Sequence, residues 1–107
     1  MGFDQNQKTT ALSFARALAN RDYTLAYGFC SRQLREQSSA ELLGQMFEEI
    51  VPPDWGDIDP VELVENAEFP FIYIVLGGDI YSEAIIISSF EYDNGQVKIA
   101  SFELGRP

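Results

Sequence analysis

Residues 69–104 read FPFIYIVLGGDIYSEAIIISSFEYDNGQVKIASFEL and contain three apolar runs separated by two turn signals. The unbroken run Phe69–Leu76 is typical of a strand that is covered on both faces or lies in a dimer interface. Gly77-Gly78-Asp79 predicts a hairpin turn. Asp93-Asn94-Gly95-Gln96 predicts a type I′ turn, because Asn-Gly tolerates the positive φ angles of that turn. We therefore expect four antiparallel strands in succession. The first, Val61–Asn66, is a short edge strand, and it is followed by Phe69–Leu76, Tyr81–Tyr92 and Val97–Leu104.

The chain before this meander has helical periodicity. Apolar side chains fall on one stripe of a first helix, which is expected from about Thr10 to Asn20. Thr9 or Thr10 is its expected cap, because a hydroxyl oxygen can accept an unpaired backbone N–H. Asp22 can cap a short second helix, Tyr23–Cys30.

A third helix has the clearest local signature. It follows Ser31–Gln37, which we expect to be a polar connector with Leu34 as its one apolar anchor. Ser38-Ser39-Ala40-Glu41 has the form of a capping box, with a serine at the cap and a glutamate three residues on. Pro52-Pro53 ends the helix, because proline has no N–H and disfavours helix in the residue before it.

Helices followed by an antiparallel meander predict an α+β fold. We expect the N-terminal helices to pack on a curved four-stranded sheet. The length of 107 residues is that of a single domain, residues 1–107.

A family resemblance points the same way. Residues 11–27, ALSFARALANRDYTLAY, resemble the opening of the nuclear transport factor two-like, or cystatin-like, superfamily, which often begins with a helix ending in a small-polar-Asp-Tyr corner. The resemblance continues through Ser31–Arg35, the capped helix and the meander, although the chain is short for the family. It implies a cone-shaped sheet wrapped around a helix, a pocket at the open end and dimerisation through the sheet. It implies no single function, because isomerases, dehydratases, hydrolases, transport factors, immunity proteins and binding domains all share the fold.

The cysteine and histidine content excludes several kinds of chemistry. The chain has no histidine and one cysteine, Cys30. Imidazole-based nucleophile systems, His-ligated zinc and disulfides within the chain are therefore excluded. We expect Cys30 to be a small buried hydrophobe, and the lack of cysteine pairs fits a cytoplasmic location. None of the patterns indicates a cofactor.

The charge balance bears on partners. Acidic residues outnumber basic ones by 17 to 7, which gives a net charge of −10. Residues 51–107 hold most of this excess, with eleven acids against Lys98 and Arg106. Nucleic acids and anionic membrane surfaces would repel such a surface, and no apolar run is long enough to span a bilayer. A cationic protein would be attracted to it.

Aromatic residues are candidates for lining a ligand pocket. We expect Phe14, Tyr27, Phe47 and Tyr73 to surround a small apolar ligand. A tyrosine beside a desolvated carboxylate could also transfer a proton to a carbonyl substrate. No pair has a diagnostic spacing, however, and tyrosines more often pack at the edge of a core with the hydroxyl in water.

The loop around Trp55 is a candidate partner surface. Asp54, Asp57 and Asp59 surround this tryptophan, which can anchor a partner or close the open end of the core. Together with Glu62, these aspartates form the kind of oxygen cluster that calcium prefers, but the EF-hand spacing is missing and Pro60 lies within the cluster. We therefore favour a solvated acidic loop and expect no metal.

The strands predict the oligomeric state. The face of Ile72, Ile74, Leu76, Ile85 and Ile87 offers more apolar surface than three small helices are expected to cover, which predicts a homodimer. The other interpretation is that the helices wrap further and make this face part of the core.

These features favour a non-catalytic binding domain, with a ligand pocket or a protein-partner surface. One alternative is an acidic inhibitor or immunity-type protein that masks a cationic partner. Another is a small isomerase or dehydratase that uses a tyrosine and an aspartate or glutamate.

Overall fold

The computed structural model describes residues 4–52, 59–66, 69–77 and 82–105. The described residues form helices and then strands, which confirms the predicted α+β class. The elements are α1 (Gln5–Ala19), α2 (Tyr23–Gly28), α3 (Arg32–Gln37), α4 (Ala40–Ile50), β1 (Asp59–Asn66), β2 (Phe69–Gly77), β3 (Ser82–Asp93) and β4 (Gln96–Gly105).

Each helix begins at a polar side chain that accepts a hydrogen bond from the backbone N–H three residues on. The caps are Asp4, Asp22, Ser31 and Ser39. The predicted cap at Asp22 is confirmed. The predicted cap at Thr9 or Thr10 is wrong, because Asp4 and Gln7 form a reciprocal capping box that starts α1 earlier.

The segment predicted to be a connector is a helix. The Ser31 Oγ accepts the Leu34 N–H at 3.2 Å and so starts α3, while Leu34 packs against the core. A helix of six residues is too short to display a helical period, and its one apolar residue is the only sign of a buried side. The cap of α4 is Ser39, one residue later than predicted, and it accepts the Leu42 N–H at 3.1 Å.

The strands form an antiparallel sheet in the order β1-β2-β3-β4. Asn94 and Gly95 connect β3 to β4 with φ angles of 52° and 79°. Both angles are positive, as a type I′ turn requires, so this predicted turn is confirmed. On the other side of β4, the Ser31 N–H donates to the Ile99 carbonyl at 2.7 Å and the Ile99 N–H donates to the Phe29 carbonyl at 2.8 Å. These bonds fix the end of α2 and the start of α3 beside the sheet.

One face of the sheet is covered by the helices. α1 contacts all four strands, and its fully buried Phe14 and Leu18 belong to the same core cluster as the strand face. This face has no solvent exposure; its residues are Ile72, Ile74, Leu76, Ile85 and Ile87. The prediction that they form a dimer interface is therefore wrong: they are the core of a single chain. The helices cover more of the sheet than expected, because α1 begins at Gln5 instead of about Thr10 and contacts all four strands.

The corner between α1 and α2 is attached to the end of α4. Arg21 adopts a φ of 59°, and its guanidinium donates hydrogen bonds to the carbonyl oxygens of Val51 and Pro52 at 3.3 and 3.4 Å. The Tyr23 hydroxyl donates to Glu48 Oε2 at 2.6 Å. The Asn-Arg-Asp-Tyr corner thus acts as a structural clamp between helices.

Gly44 is required where this clamp meets α4. A Cβ at this position would lie 2.6 Å from Cδ2 of Tyr23, and the ring cannot move aside without loss of its hydrogen bond to Glu48. Overpacking costs about 1–3 kcal/mol, and the ~1 kcal/mol that alanine normally adds to a helix offsets part of this. We therefore expect Gly44→Ala to lower the free energy of unfolding by up to about 2 kcal/mol. Denaturant unfolding measures the change, with Gln45→Ala at the exposed neighbouring position as the control. A Gly44→Ala protein that is more stable than the unmodified one by the full ~1 kcal/mol of the alanine helix propensity would contradict the close contact.

Candidate functional site

A pocket of about 210 Å³ lies between α2, α3, α4 and β4. Apolar side chains form most of its wall, and two residues near the α3–α4 junction add hydrogen-bonding groups. The lining residues are Tyr27, Cys30, Leu34, Gln37, Ser38, Leu43, Met46 and Phe102. A concave, mainly apolar site with few polar groups is the usual form of a small binding site.

The pocket follows from the way α3 and α4 are joined. The extended backbone of Ser38, with φ −144° and ψ −174°, ends α3, and Ser39 caps α4 at once. Both helices then pack on β4. Two short helices that diverge from a sharp corner leave a wedge between them, and Leu34 of α3 and Met46 of α4 line its two sides.

Tyr27 forms a fixed part of the wall. Its hydroxyl donates to the carbonyl oxygen of Arg35 at 2.7 Å and lies 3.5 Å from that of Ser38. Carbonyl oxygens at the end of a helix have no hydrogen-bond partner within the helix, so the Tyr27 hydroxyl supplies one to the Arg35 carbonyl at the end of α3. Because its proton is engaged, the Tyr27 hydroxyl can offer a ligand only an acceptor lone pair.

Cys30 contributes an uncharged thiol to the pocket. Its side chain is buried and free of any disulfide, which confirms the prediction of a small buried hydrophobe. Burial raises the pKa of the thiol to about 11, although the positive charges of Arg35 and Lys98 act in the opposite direction. Cys30 is therefore protonated at neutral pH, and a thiolate nucleophile is not available there.

The structure separates the four residues that were predicted to line a ligand pocket. Tyr27 lines the pocket. Phe14 and Phe47 have no exposed surface and lie in the core. Tyr73 is half-buried on β2, between the buried Ile72 and Ile74, so strand alternation directs it to the opposite face of the sheet.

The predicted partner loop falls mostly outside the described residues. Asp54, Trp55 and Asp57 lie there. Asp59 is the first residue of β1, where its backbone pairs with Gly77.

Tyr23 and Tyr92 each form a hydrogen bond with a carboxylate, and neither of these pairs lines the pocket. The Tyr23 hydroxyl is bonded to Glu48, whose side chain is 38% exposed. Burial, and then this hydrogen bond, raise the pKa of Tyr23. The Tyr92 hydroxyl donates to Asp4 at 2.9 Å on the surface, and this bond raises the pKa of Tyr92. Both pairs connect separate elements, as structural contacts do, and neither adjoins the pocket, where an acid–base pair would have to act.

Three further features of the described ranges bear on function. A shallow polar groove of about 410 Å³ lies between α1 and the β3–β4 turn. No group of three or more acidic or cysteine side chains that could hold a metal is found in the described ranges. Among the same residues, no helix has the length and apolar character needed to cross a membrane.

Known proteins give no independent guide to this site. Comparison of the chain with protein-family models, with curated proteins and with solved structures gave no match.

Proposed function

We propose that the protein is a non-catalytic binding domain of cystatin-like architecture, and that the pocket between α2, α3, α4 and β4 is its binding site. The observation that carries this proposal is the chemistry of the wall. Five of its residues are aromatic or aliphatic, the thiol is protonated, and only Gln37 and Ser38 add hydrogen-bonding side chains beside the engaged Tyr27 hydroxyl. Such a surface binds an apolar group by excluding water from it.

The packing of α1 supports the cystatin-like part of the proposal. α1 contacts all four strands, as the central helix of a cone does. The pocket then lies at one end of the sheet layer, where the shorter helices leave a gap over β4.

The volume limits the size of the bound group. An apolar cavity of ~150 Å³ accepts benzene, whereas sites for drug-sized molecules measure roughly 300–1,000 Å³. A pocket of about 210 Å³ therefore has room for one aromatic ring system or a short branched alkyl group. Indole is a suitable probe, because its ring is apolar and its N–H can donate a hydrogen bond to the amide oxygen of Gln37.

We expect indole to bind with a dissociation constant on the order of 1 mM or tighter. Its roughly nine non-hydrogen atoms at ~0.5 kcal/mol each supply about 4.5 kcal/mol. Titration followed by NMR chemical shifts measures the binding. Ser38→Leu, which adds apolar volume to the lining, should weaken it at least tenfold, and Leu34→Trp provides a second way to fill the pocket.

Ser88→Leu is the matched control, since Ser88 is exposed on β3 and bonds to Ser101 away from the pocket. It should bind indole as the unmodified protein does. Equal affinities in Ser38→Leu, Leu34→Trp and Ser88→Leu, in proteins shown to be folded, would mean that indole binds elsewhere and would overturn the proposal.

A further inference from the structure

We infer that the group held by this pocket is an apolar side chain of a cationic protein segment, which docks along α4. The inference rests on the proposed function, because the same pocket receives the apolar group. It adds the kind of partner and the surface outside the pocket that recognises it.

The exposed side of α4 continues the pocket surface. Leu42 is 48% exposed and Met46 is 43% exposed, and the two residues are four apart, so they lie on one side of the helix. Met46 also lines the pocket. The apolar surface therefore runs from the pocket onto α4, where a free ligand the size of one ring would leave Leu42 uncovered.

The size of the pocket agrees with an anchoring side chain. About 210 Å³ is below the range of sites that bury whole drug-sized ligands. Protein interfaces commonly place one large aromatic or aliphatic side chain in a pocket and surround it with weaker contacts. Leu42 is placed to provide such a surrounding contact.

The exposed charges along α4 favour a cationic partner. Glu49 lies on the same exposed side of α4 as Leu42 and Met46, because seven residues make close to two helical turns. Glu36 and Glu41 are exposed on either side of the α3–α4 corner. Two bases act on the Cys30 thiol and so lie near the pocket: Arg35, half-buried in the last turn of α3, and Lys98, which donates to the Gly28 carbonyl at 2.8 Å. Neither belongs to α4, a helix with three acidic residues and no base. The net charge of −10 adds a long-range attraction for a basic segment.

The test uses a labelled synthetic peptide of leucine and lysine, about 14 residues long, with an apolar stripe at helical spacing. Fluorescence anisotropy measures its binding at low and high salt. We expect binding to the unmodified protein that weakens several-fold with added salt, because part of the attraction is electrostatic. Ser38→Leu should lower the affinity for the peptide at least tenfold, since the anchoring side chain enters the same pocket as indole.

Two matched pairs of variants test the docking surface. Leu42→Ser should lower the affinity for the peptide about tenfold. Leu25→Ser should leave the affinity unchanged, because Leu25 lies on the side of α2 away from Tyr27, although its side chain is similarly exposed at 52%. Glu49→Lys should lower the affinity for the peptide several-fold. Glu103→Lys makes the same charge change on β4, next to the inward-facing Phe102 and hence on the outer face of the sheet, and should have less than a twofold effect.

The outcomes separate this inference from the proposed function. If indole binds and the peptide does not, the inference is overturned and the pocket remains a small-ligand site. If neither binds, both fail. Peptide binding that is unchanged by Ser38→Leu, or weakened equally by Glu49→Lys and Glu103→Lys, reflects general charge attraction and also overturns the inference. Indole affinity should be the same in Leu42→Ser as in the unmodified protein, which shows that the pocket is intact there.

Discussion

Phe14→Ala is expected to lower the free energy of unfolding by about 3–5 kcal/mol, the range for truncation of a fully buried phenylalanine. Phe14 has no exposed surface, and its ring meets that of Phe102 edge-on, with 5.0 Å between centroids. α1 is the helix that contacts all four strands, so a cavity at this point weakens the contact between the helices and the sheet. For a domain whose total stability is roughly 5–15 kcal/mol, this is a large fraction.

Thermal and denaturant unfolding measure this effect. A loss of this size should lower the melting temperature by more than about 10 °C, since each kcal/mol is worth roughly 4–8 °C in a domain of this length. Leu25→Ala is the control, because Leu25 is 52% exposed and its truncation should change little. Equal stabilities for the two variants would contradict the placement of Phe14 in the core.

The thiol of Cys30 is expected to make the protein less stable at alkaline pH. Its pKa is about 11 in the folded chain against an ordinary 9.0. Between these values the unfolded chain loses the thiol proton while the folded chain keeps it, so stability falls as the pH rises. The contribution is fully present below pH 9, and about 2–3 kcal/mol of it is lost as the pH approaches 11.

Comparison with Cys30→Ala isolates this contribution, because the tyrosines and lysines that titrate in the same range are common to both proteins. The variant should be less stable at neutral pH, owing to its lost volume, and the difference should shrink as the pH rises from about 8 to about 11. Two parallel pH–stability curves would show that Cys30 ionises as freely in the folded chain as in the unfolded one. That result would contradict its burial in the pocket wall.

Much of the fold could be predicted from local patterns. The Asn94-Gly95 turn requires a backbone that few other residue pairs tolerate, and the Asp22 cap stands directly before an apolar pattern. α3 was missed because a helix of six residues is stabilised by its cap at Ser31 and by packing of Leu34, and the packing has no local signature. The strand face is covered by α1, which contacts all four strands and begins earlier than predicted, so the error about the start of α1 contributed to the error about the interface.

The pocket was much harder to predict, because its lining comes from four elements that meet only in the folded chain. Tyr27 was singled out as an aromatic residue, and it lines the pocket. Phe14 and Phe47 have the same sequence character as pocket residues, since any large apolar side chain on the inner side of a helix faces either a core or a cavity. Tyr73 lies in an unbroken apolar run, where the alternation that distinguishes the two faces of a strand is absent.

Signals for the remaining lining residues were present but indirect. Leu34 was the one apolar residue of a polar segment, which indicated that this segment touches something buried. Leu43 and Met46 belong to a set of apolar residues at helical spacing in α4, which the sequence AELLGQMFEEI shows. The divergence of α3 and α4 at Ser38 depends on backbone angles, and these follow from the whole arrangement of the helices on β4.

The most direct test of the binding site is an NMR measurement of intermolecular nuclear Overhauser effects between indole and the protein. The pocket lies between α3 and α4, so bound indole should give effects to the methyl groups of Leu34, Leu43 and Met46 together. Exposed Leu25, at 52%, should give none. Effects to all three pocket residues would support the proposed site. Saturable binding with effects only to other residues, or no binding at about 10 mM indole, would contradict it.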